Sequence, residues 1–348
     1  MESKTVVTKE TKNKIRVDYE GKLSAKERLM KKLKTSNTWI KAVVNVLRFI
    51  LMMGVSFVIL YPFLSRIAGS FMTKEDVVDS TISLIPKHFT LEIYRAIIAE
   101  NHYVEALLNT IFLSIACALI QTFIACLVGY GLAKFKFKGN GLVMILVVVT
   151  MIIPHGTLQL ALSQHFNAFD LLKVIAWGNK GIIQLITGQL PNLGNTFWPY
   201  IILSAFGLAF KNGLYIYMMR QFFKGVPDEL EESAYVDGSG VFRTFFQIIL
   251  PLAVPMMITI FLFSFAWQWT DEFYASTFFS GTSREIYLMP DVYKAIPPSL
   301  KTEFAGDALY QNVIQSTAGL MIIAPLVVVY LFCQKYLVQG IERSGLVG

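Results

Sequence analysis

Apolar residues gather in six long runs separated by shorter polar segments. A helix needs about 20 mostly apolar residues to cross the hydrocarbon core of a bilayer. Six runs come close to or exceed that length, at approximately residues 43–71, 106–133, 142–162, 198–219, 252–269 and 317–336. The pattern therefore predicts an all-α membrane protein with six transmembrane helices.

A seventh apolar stretch, residues 174–190, carries too many polar and flexible residues for a span. Asn179, Lys180 and Gln184 lie within it, together with three glycines. Such residues are costly in lipid. We expect the stretch to belong to an insertion of about residues 165–197 outside the membrane, for which the sequence indicates no role beyond a docking surface for an external partner.

Composition supports a membrane location. Of 348 residues, 54% are hydrophobic and 16% are charged, and the mean hydropathy is +0.53, which is too apolar for a soluble domain of this length. Cys117, Cys126 and Cys333 lie in apolar segments, so no disulfide framework is indicated. The four histidines lack the spacing of metal ligands, so we expect no metal site.

Positive charge is concentrated at the start of the chain. Residues 1–41 hold twelve Lys/Arg against five Asp/Glu, which accounts for the whole formal net charge of +7. Such a balance can indicate nucleic acid, but beside six spans it favours an unstructured cytoplasmic arm at the anionic membrane surface. We therefore expect no nucleic-acid partner and place both termini inside, with the membrane domain over 42–340 and a short tail over 341–348.

The segment between the fourth and fifth spans, residues 226–251, reads as a polar helical hairpin on the inside. Pro227 suits the first turn of a helix, and the acidic residues that follow suit its positive end. Gly238 can end that helix in the left-handed conformation, and Ser239 can cap a second helix. Pro251 ends the second helix or begins the next span. The apolar residues of the second helix recur at helical spacing on one side: Phe242, Phe245, Phe246 and Ile249.

The spacing of this hairpin resembles the E-A-A-x3-G-x9-I-x-L-P loop of binding-protein-dependent ABC transporter permeases. Serine replaces the first alanine of the motif, and the matching positions are Glu232, Ser233, Ala234, Gly238, Ile248, Leu250 and Pro251. The stretches MMRQFFKGVPDELEESAYVDGSG and YGLAKFKFKGNGLVMILVVVTMIIP resemble the carbohydrate-uptake branch of that family, and QKYLVQGIERSGLVG is similar to the tail of its maltose-type inner-membrane subunit. The resemblance covers about residues 40–348, apart from the insertion.

The resemblance implies that the hairpin is a coupling helix, seated in a cleft of a separate ATP-hydrolysing subunit. The implied coupling residues are Glu229, Glu231, Glu232, Ser233, Ala234, Asp237, Gly238, Ile248, Leu250 and Pro251. It also implies a sister permease in a heterodimer, two ATPase subunits that use ATP and Mg, and an extracytoplasmic solute-binding protein. This chain has no G-x-x-x-x-G-K-[ST] loop, so we expect it to bind no cofactor and not to be an enzyme.

Polar residues inside spans are candidates for a translocation pathway, because each is costly in lipid. Gln121 lies in the second span, and Asn212 lies beside Lys211 in the fourth. Hydrogen bonding between helices is the alternative role. Trp267 and Trp269, at the outer end of the fifth span, suit either stacking on a sugar or anchoring at the interface.

Two residues that disturb helices lie within predicted spans. Pro154 is in the third span and Gly207 in the fourth. Each can bend its helix or allow a neighbouring helix to pack closely. We favour close packing for both.

Other classes of protein fit less well. An ion-driven secondary transporter would carry acidic residues in mid-span, and an intramembrane enzyme would carry catalytic groups there; the predicted spans contain neither. A regulatory or assembly subunit stays open. We predict the permease subunit of an ATP-driven sugar importer, forming half of the pathway in a bacterial plasma or inner membrane. The sequence does not indicate which sugar is carried.

Overall fold

The computed structural model describes residues 7–10, 16–19, 36–171, 180–279, 285–301 and 307–345. The chain divides into two compact units, Met1–Ser65 and Arg66–Gly348. Nearly all regular structure in the described residues is helical. The predicted helical class is therefore confirmed, with one short exception in the first unit.

That exception is a two-stranded ladder in the basic arm. Strand β1 (Val7–Glu10) pairs antiparallel with β2 (Arg16–Tyr19), with Val7 opposite Tyr19. Valine, threonine and tyrosine favour extended backbone, and they supply four of the eight strand residues. The expectation of an unstructured arm is wrong for these residues, while the rest of the arm up to residue 35 lies outside the described residues.

The helices follow in chain order, with α1 starting in the first unit and the others in the second. They are α1 (Ser36–Gly69), α2 (Lys74–Val78), α3 (Glu92–Glu100), α4 (Tyr103–Lys134), α5 (Asn140–Ile152), α6 (Gln159–Asn167), α7 (Ile182–Thr187), α8 (Trp198–Ala205), α9 (Asn212–Lys224), α10 (Glu229–Val236), α11 (Val241–Thr244), α12 (Leu250–Trp269), α13 (Glu272–Phe278), α14 (Met289–Lys294) and α15 (Asp307–Gly345).

Four helical stretches among the described residues are long and apolar enough to cross a membrane. They are Trp39–Gly69, Tyr103–Lys134, Val241–Trp269 and Ala308–Lys335. They contain most or all of the first, second, fifth and sixth predicted spans. The third and fourth predicted spans are interrupted in the described residues, so the predicted number of six transmembrane helices is not confirmed.

The third predicted span bends sharply at Pro154. Helix α5 ends at Ile152, a 3₁₀ turn over His155–Leu158 follows, and the two helical halves differ in direction by 95°. A proline disfavours helical backbone in the residue before it, and Ile153 accordingly has an extended ψ of 122°. Pro154 thus bends this segment, and the role in close packing that we favoured is wrong.

The fourth predicted span is broken between α8 and α9. Gly207 (φ +70°) and Lys211 (φ +69°) both adopt the left-handed region, which a right-handed helix cannot contain. The two helices have 8 and 13 residues, each fewer than the roughly 20 that a span needs. Gly207 therefore contributes to a break, which corrects our preference for packing at this position as well.

The predicted insertion contains a folded segment. The buried carboxylate of Asp170 accepts hydrogen bonds from the backbone N–H groups of Gly181 (2.6 Å), Ile183 (3.0 Å) and Gln184 (3.3 Å). Although burial disfavours the ionised carboxyl, these donors hold the pKa of Asp170 below its usual range. Asp170, which lies shortly after α6, therefore holds the start of α7 in place through these hydrogen bonds.

Helix α4 is central to the second unit because it packs against α9 and α12. At Gly129 the backbones of α4 and α9 approach so closely that a Cβ atom would lie 2.6 Å from the Cβ of Met219. The buried core around this contact includes Cys126, Ile216 and Ile260. A small residue at a helix crossing permits such an approach in a membrane.

We expect Gly129→Ala to destabilise the fold, because its new methyl group would overlap Met219 at this crossing. Overpacking of this kind costs about 1–3 kcal/mol, which should lower the thermal unfolding midpoint in detergent. Gly131→Ala is the matched control, since nothing lies within 4 Å of its Cβ position. Equal midpoints for the two variants would contradict the close contact.

Candidate functional site

The acidic hairpin, residues 226–251, begins with the short helix α10. Pro227 and Asp228 directly precede it, and the Asp228 carbonyl accepts the N–H of Glu232 at 3.0 Å. Three acidic side chains occupy the first turn: Glu229, Glu231 and Glu232. Negative charge at this end is favoured by the helix dipole, as the sequence predicted.

Gly238 ends α10 in the left-handed conformation, with φ +83°. The Ser239 N–H donates to the carbonyl of Ala234 at 2.9 Å, and the Gly238 N–H donates to that of Tyr235 at 3.0 Å. This pair of bonds is the Schellman motif. The predicted glycine turn is confirmed, and it reverses the chain within a few residues.

The second helix departs from the predicted pattern. It begins at Val241 after Gly240, with no side-chain cap, so the expectation that Ser239 caps it is wrong. A π-helical turn follows over Phe245–Ile249, in which each residue advances the chain by a smaller angle than in an α-helix. The predicted aromatic face is therefore divided: Phe245 and Ile249 are buried, whereas Phe242 and Phe246 are exposed.

The π turn carries the hairpin into α12 without a break. Pro251 lacks a backbone N–H and would clash with the carbonyl four residues before it in a regular helix. In the π turn the Leu250 N–H instead bonds five residues back, to Phe245. Pro251 therefore lies in the first turn of α12, one of the two positions that we predicted for it.

A buried ion pair fastens the acidic hairpin to the end of α4. The Tyr130 hydroxyl donates to Glu231 Oε1 at 2.5 Å, and Lys134 Nζ lies 3.4 Å from Glu231 Oε2. Lys134 also donates to the carbonyl of Val226 at 2.6 Å and pairs with Asp228 at 2.5 Å. We call Tyr130, Lys134, Asp228 and Glu231 the Glu231 clamp.

The clamp is sheltered from water where its two central charges meet. The side chains of Lys134 and Glu231 are 7% and 9% exposed, and both are surrounded by hydrogen-bonding partners. The Lys134 ammonium holds the pKa of the exposed Asp228 carboxyl below its usual range. Sequence reasoning missed Tyr130 and Lys134, because one is hidden in a predicted span and the other in a run of cytoplasmic charge.

The predicted coupling residues divide between two sides of the hairpin. Glu231 and Ala234 are buried, while Ile248 and Leu250 pack against the core. This chain itself covers Ala234, and the role of that residue in coupling stays a prediction. The remaining predicted residues face outward: Glu229, Glu232, Ser233, Asp237, Gly238 and Pro251.

Beside these outward residues lies an exposed apolar surface. Val236 is 87% exposed and Phe242 is 81% exposed. Leu230, Tyr235 and Phe246 are also exposed. Exposed apolar side chains beside charged ones are typical of a protein–protein contact. We call these five residues the hairpin patch.

A cavity lies beside the break in the fourth predicted span. One wall is formed by residues 150–155 and the other by residues 208–211, 213 and 214. Lys211 Nζ lies 4.6 Å from the ring centroid of Phe210 and 4.8 Å from that of Trp267. His155 meets Phe210 edge-on at 4.3 Å. The cavity therefore combines aromatic rings with positively charged or hydrogen-bonding groups.

Gln121 joins three helices near this cavity. Its Nε2 donates to Ser204 Oγ at 3.1 Å, and its Oε1 accepts from Ser264 Oγ at 2.7 Å. These contacts are the hydrogen bonding between helices that we named as the alternative to a pathway role. Gln121 also lines a small second cavity with Phe210, Ser264, Trp267, Gln268 and Asp271.

The other pathway candidates occupy different environments. Asn212 is fully buried, and neither atom of its amide has a hydrogen-bond partner among the described residues. Trp267 is 49% exposed, whereas Trp269 is 2% exposed and donates its indole N–H to the carbonyl of Ile322 at 3.0 Å. The geometry therefore gives Trp269 a packing role, while Trp267 remains open to a ligand.

We expect Glu231→Gln to loosen the hairpin, because the variant leaves the buried Lys134 ammonium without its buried counter-charge. Loss of one partner from a buried hydrogen-bonded pair costs about 1–3 kcal/mol or more. Hydrogen exchange of α10 should accelerate accordingly, with little change in α15. Glu229→Gln is the matched control, since that side chain is exposed on the same helix. Unchanged protection in Glu231→Gln would contradict the clamp.

Asp271 should make stability depend on pH. Burial raises the pKa of this carboxyl to about 7, and its Oδ2 lacks a hydrogen-bond partner among the described residues. The folded chain thus holds a proton that the unfolded chain releases, so the stabilising contribution is full below about pH 4 and is lost as pH rises through about 7.

Asp271→Asn should therefore raise the thermal midpoint at pH 8 more than at pH 5. Asparagine is uncharged throughout this range and keeps an acceptor for the Tyr274 N–H, which Asp271 caps at 3.2 Å. Asp237→Asn changes an exposed carboxyl and should leave the pH profile as in the wild type. An equal gain at both pH values for Asp271→Asn would show that the raised pKa is absent.

Comparison with known proteins identifies the family to which this chain belongs. Residues 121–343 match the family described as binding-protein-dependent transport system inner membrane component. Among relatives, the chain is similar to protein LplC of Bacillus subtilis (strain 168), with 27% identity over 90% of this chain and 97% of LplC. It is also 27% identical to the polygalacturonan/rhamnogalacturonan transport system permease protein YtcP of the same organism, over 80% of this chain and 89% of YtcP.

A solved structure supports the same fold. The chain superimposes on one from the crystal structure of a bacterial ABC transporter involved in the import of the acidic polysaccharide alginate, with a TM-score of 0.62. The two are 20% identical, and the match covers 87% of this chain and 98% of the other. With the family match extending over more than half of its length, this chain belongs to the binding-protein-dependent transport system inner membrane components, the permease subunits of ABC importers.

Proposed function

We propose that this chain forms half of the translocation pathway of an ATP-driven sugar importer and is moved by a separate ATPase subunit through the acidic hairpin. The observation that carries the proposal is the hairpin itself. Its inner side is fastened to α4 by the Glu231 clamp, and its outer side presents the hairpin patch beside exposed carboxylates. Such a surface is typical of a contact with another protein.

The proposed partners are a sister permease, two ATPase subunits that use ATP and Mg, and an extracytoplasmic solute-binding protein. Relatives support a carbohydrate as substrate, since two are named as galactooligosaccharide and alpha-glucoside transport system permeases. A similar structure contains a periplasmic protein bound to an alginate pentasaccharide. In this proposal the present chain binds no nucleotide and acts as the moving wall of the pathway.

The clamp and the π turn give the hairpin two rigid connections to the membrane domain. Displacement of α10 would pull the end of α4 through Glu231 and Lys134, and it would push α12 through the continuous backbone of Phe245–Ile249. Helices α4 and α12 meet again at the Gln121–Ser264 hydrogen bond. Motion of the hairpin would therefore reach the polar centre of the domain, as alternating access requires.

The proposal places both termini and the hairpin in the cytoplasm of a bacterial cell. A cysteine introduced at Ser239, on a Cys333→Ser background, should react with an impermeant maleimide in inside-out vesicles and stay unlabelled in intact cells. Cys117 and Cys126 are buried and should stay unlabelled in both preparations. If residue 239 were labelled in intact cells and not in inside-out vesicles, the hairpin would lie outside the cell, and the coupling role would be refuted.

Gly238→Pro and Glu232→Lys should each abolish ATP-coupled uptake while leaving membrane insertion intact. Proline cannot adopt the φ of +83° at residue 238 and removes the N–H that bonds to Tyr235, and Glu232→Lys inverts an outward charge. Uptake of oligosaccharides in cells and co-purification of the ATPase subunit are the measurements.

Gly240→Ala is the matched control for the glycine turn. Gly240 lies two residues from Gly238, has a negative φ of −79° and has open space at its Cβ position. This variant should retain uptake. Normal transport in both Gly238→Pro and Glu232→Lys would count against coupling through the hairpin.

A further inference from the structure

The cavity at the broken fourth span contains a positive charge that no acidic residue in the described part of the chain balances. Lys211 forms no ion pair among the described residues, although charged side chains at membrane depth normally have a partner. Asp271 lines the neighbouring second cavity, but it forms no ion pair with Lys211. The ammonium of Lys211 is thus available to an anion from outside this chain.

Two aromatic rings contact the ammonium group of Lys211, but they do not accept ordinary hydrogen bonds from its N–H donors. Nζ lies over the rings of Phe210 and Trp267, at 4.6 Å and 4.8 Å from their centroids. A ring face attracts the charge but does not replace a lone-pair acceptor for the three N–H donors of lysine. A ligand with carboxylate oxygens would satisfy both the charge and the donors.

The backbone of Lys211 indicates that its position is imposed by the fold. Its φ of +69° is uncommon for a residue other than glycine, asparagine or aspartate. Such a conformation costs of order 1–3 kcal/mol and is concentrated at functional sites. The break thereby places the side chain against the cavity wall, where a regular helix would direct it elsewhere.

The other groups around the break suit a carbohydrate. Trp267 is half exposed and lies beside Lys211 Nζ, so that its ring is open to the apolar face of a sugar. Gln268 is partly exposed next to Trp267 and can exchange hydrogen bonds with hydroxyl groups. Phe210 lines both cavities and lies between the region of Lys211 and that of Asp271.

We propose that Lys211 binds the carboxylate of an acidic sugar unit, so that the transported oligosaccharide contains uronic acid. This inference rests on the proposed function, because it assigns a substrate class to the same pathway. A neutral sugar would leave the lysine charge unbalanced in a partly dehydrated cavity, whereas a carboxylate neutralises it. His155 lines the opposite wall of the same cavity, and its ring nitrogens can donate or accept a hydrogen bond.

The test compares uptake of trigalacturonate and of neutral galactotriose by the full complex in proteoliposomes, assembled from this chain, its sister permease, its ATPase and its solute-binding protein. We expect the wild type to import trigalacturonate. Lys211→Asn should raise the KM for trigalacturonate at least tenfold, because asparagine tolerates the left-handed backbone but lacks the charge. Lys211→Arg should retain uptake within a few-fold.

Lys301→Gln is the matched control, since that lysine is exposed in an outer segment away from both cavities; it should transport as the wild type does. A wild type that imports galactotriose but not trigalacturonate would overturn the substrate class while leaving the proposed function intact. So would equal loss in Lys211→Asn and Lys211→Arg, which would indicate a structural role. A wild type that imports neither these nor any other oligosaccharide would overturn the proposed function itself.

Discussion

The Glu231 clamp is the interaction on which the arrangement of the acidic hairpin depends. A buried ion pair is favourable only when its desolvation is offset by good geometry and further hydrogen bonds. Here Tyr130 donates to one carboxylate oxygen of Glu231, while Lys134 approaches the other and also reaches the Val226 carbonyl. With each charge multiply partnered, α10 is held to the end of α4 as one rigid piece.

Rigidity at the hairpin would transmit nothing if the connection to the next helix were flexible. A proline after a loop often marks such a flexible point, but Pro251 follows a π turn that accommodates its missing N–H. The backbone therefore passes from Val241 to Trp269 as a single helical stretch. The same turn rotates Phe242 and Phe246 outward, so the device that keeps the helix continuous also forms part of the hairpin patch.

Local backbone chemistry was readable from the sequence, and contacts between distant segments were not. The turn at Gly238 was predicted because few residues other than glycine adopt its left-handed backbone, and the Schellman bonds confirm it. The bond between Tyr130 and Glu231 joins residues 101 positions apart, and no spacing rule reveals such a pair. The fourth span misled for another reason: its hydropathy suits a helix, but Gly207 and Lys211 turn the backbone left-handed, which a count of apolar residues does not register.

Helix α9 connects the two sites described above. It begins directly after Lys211, at the cavity, and the segment that follows it provides the Val226 carbonyl that Lys134 binds. Along its length it packs on α4, where Gly129 allows the backbone at Met219 to approach within contact. A force on the Glu231 clamp would therefore act on both α4 and α9, because these helices cannot separate without losing this packing. The upstream end of α9 follows the left-handed residues Gly207 and Lys211, so the helix that shares the load of the clamp begins where the side chain of Lys211 lines the cavity.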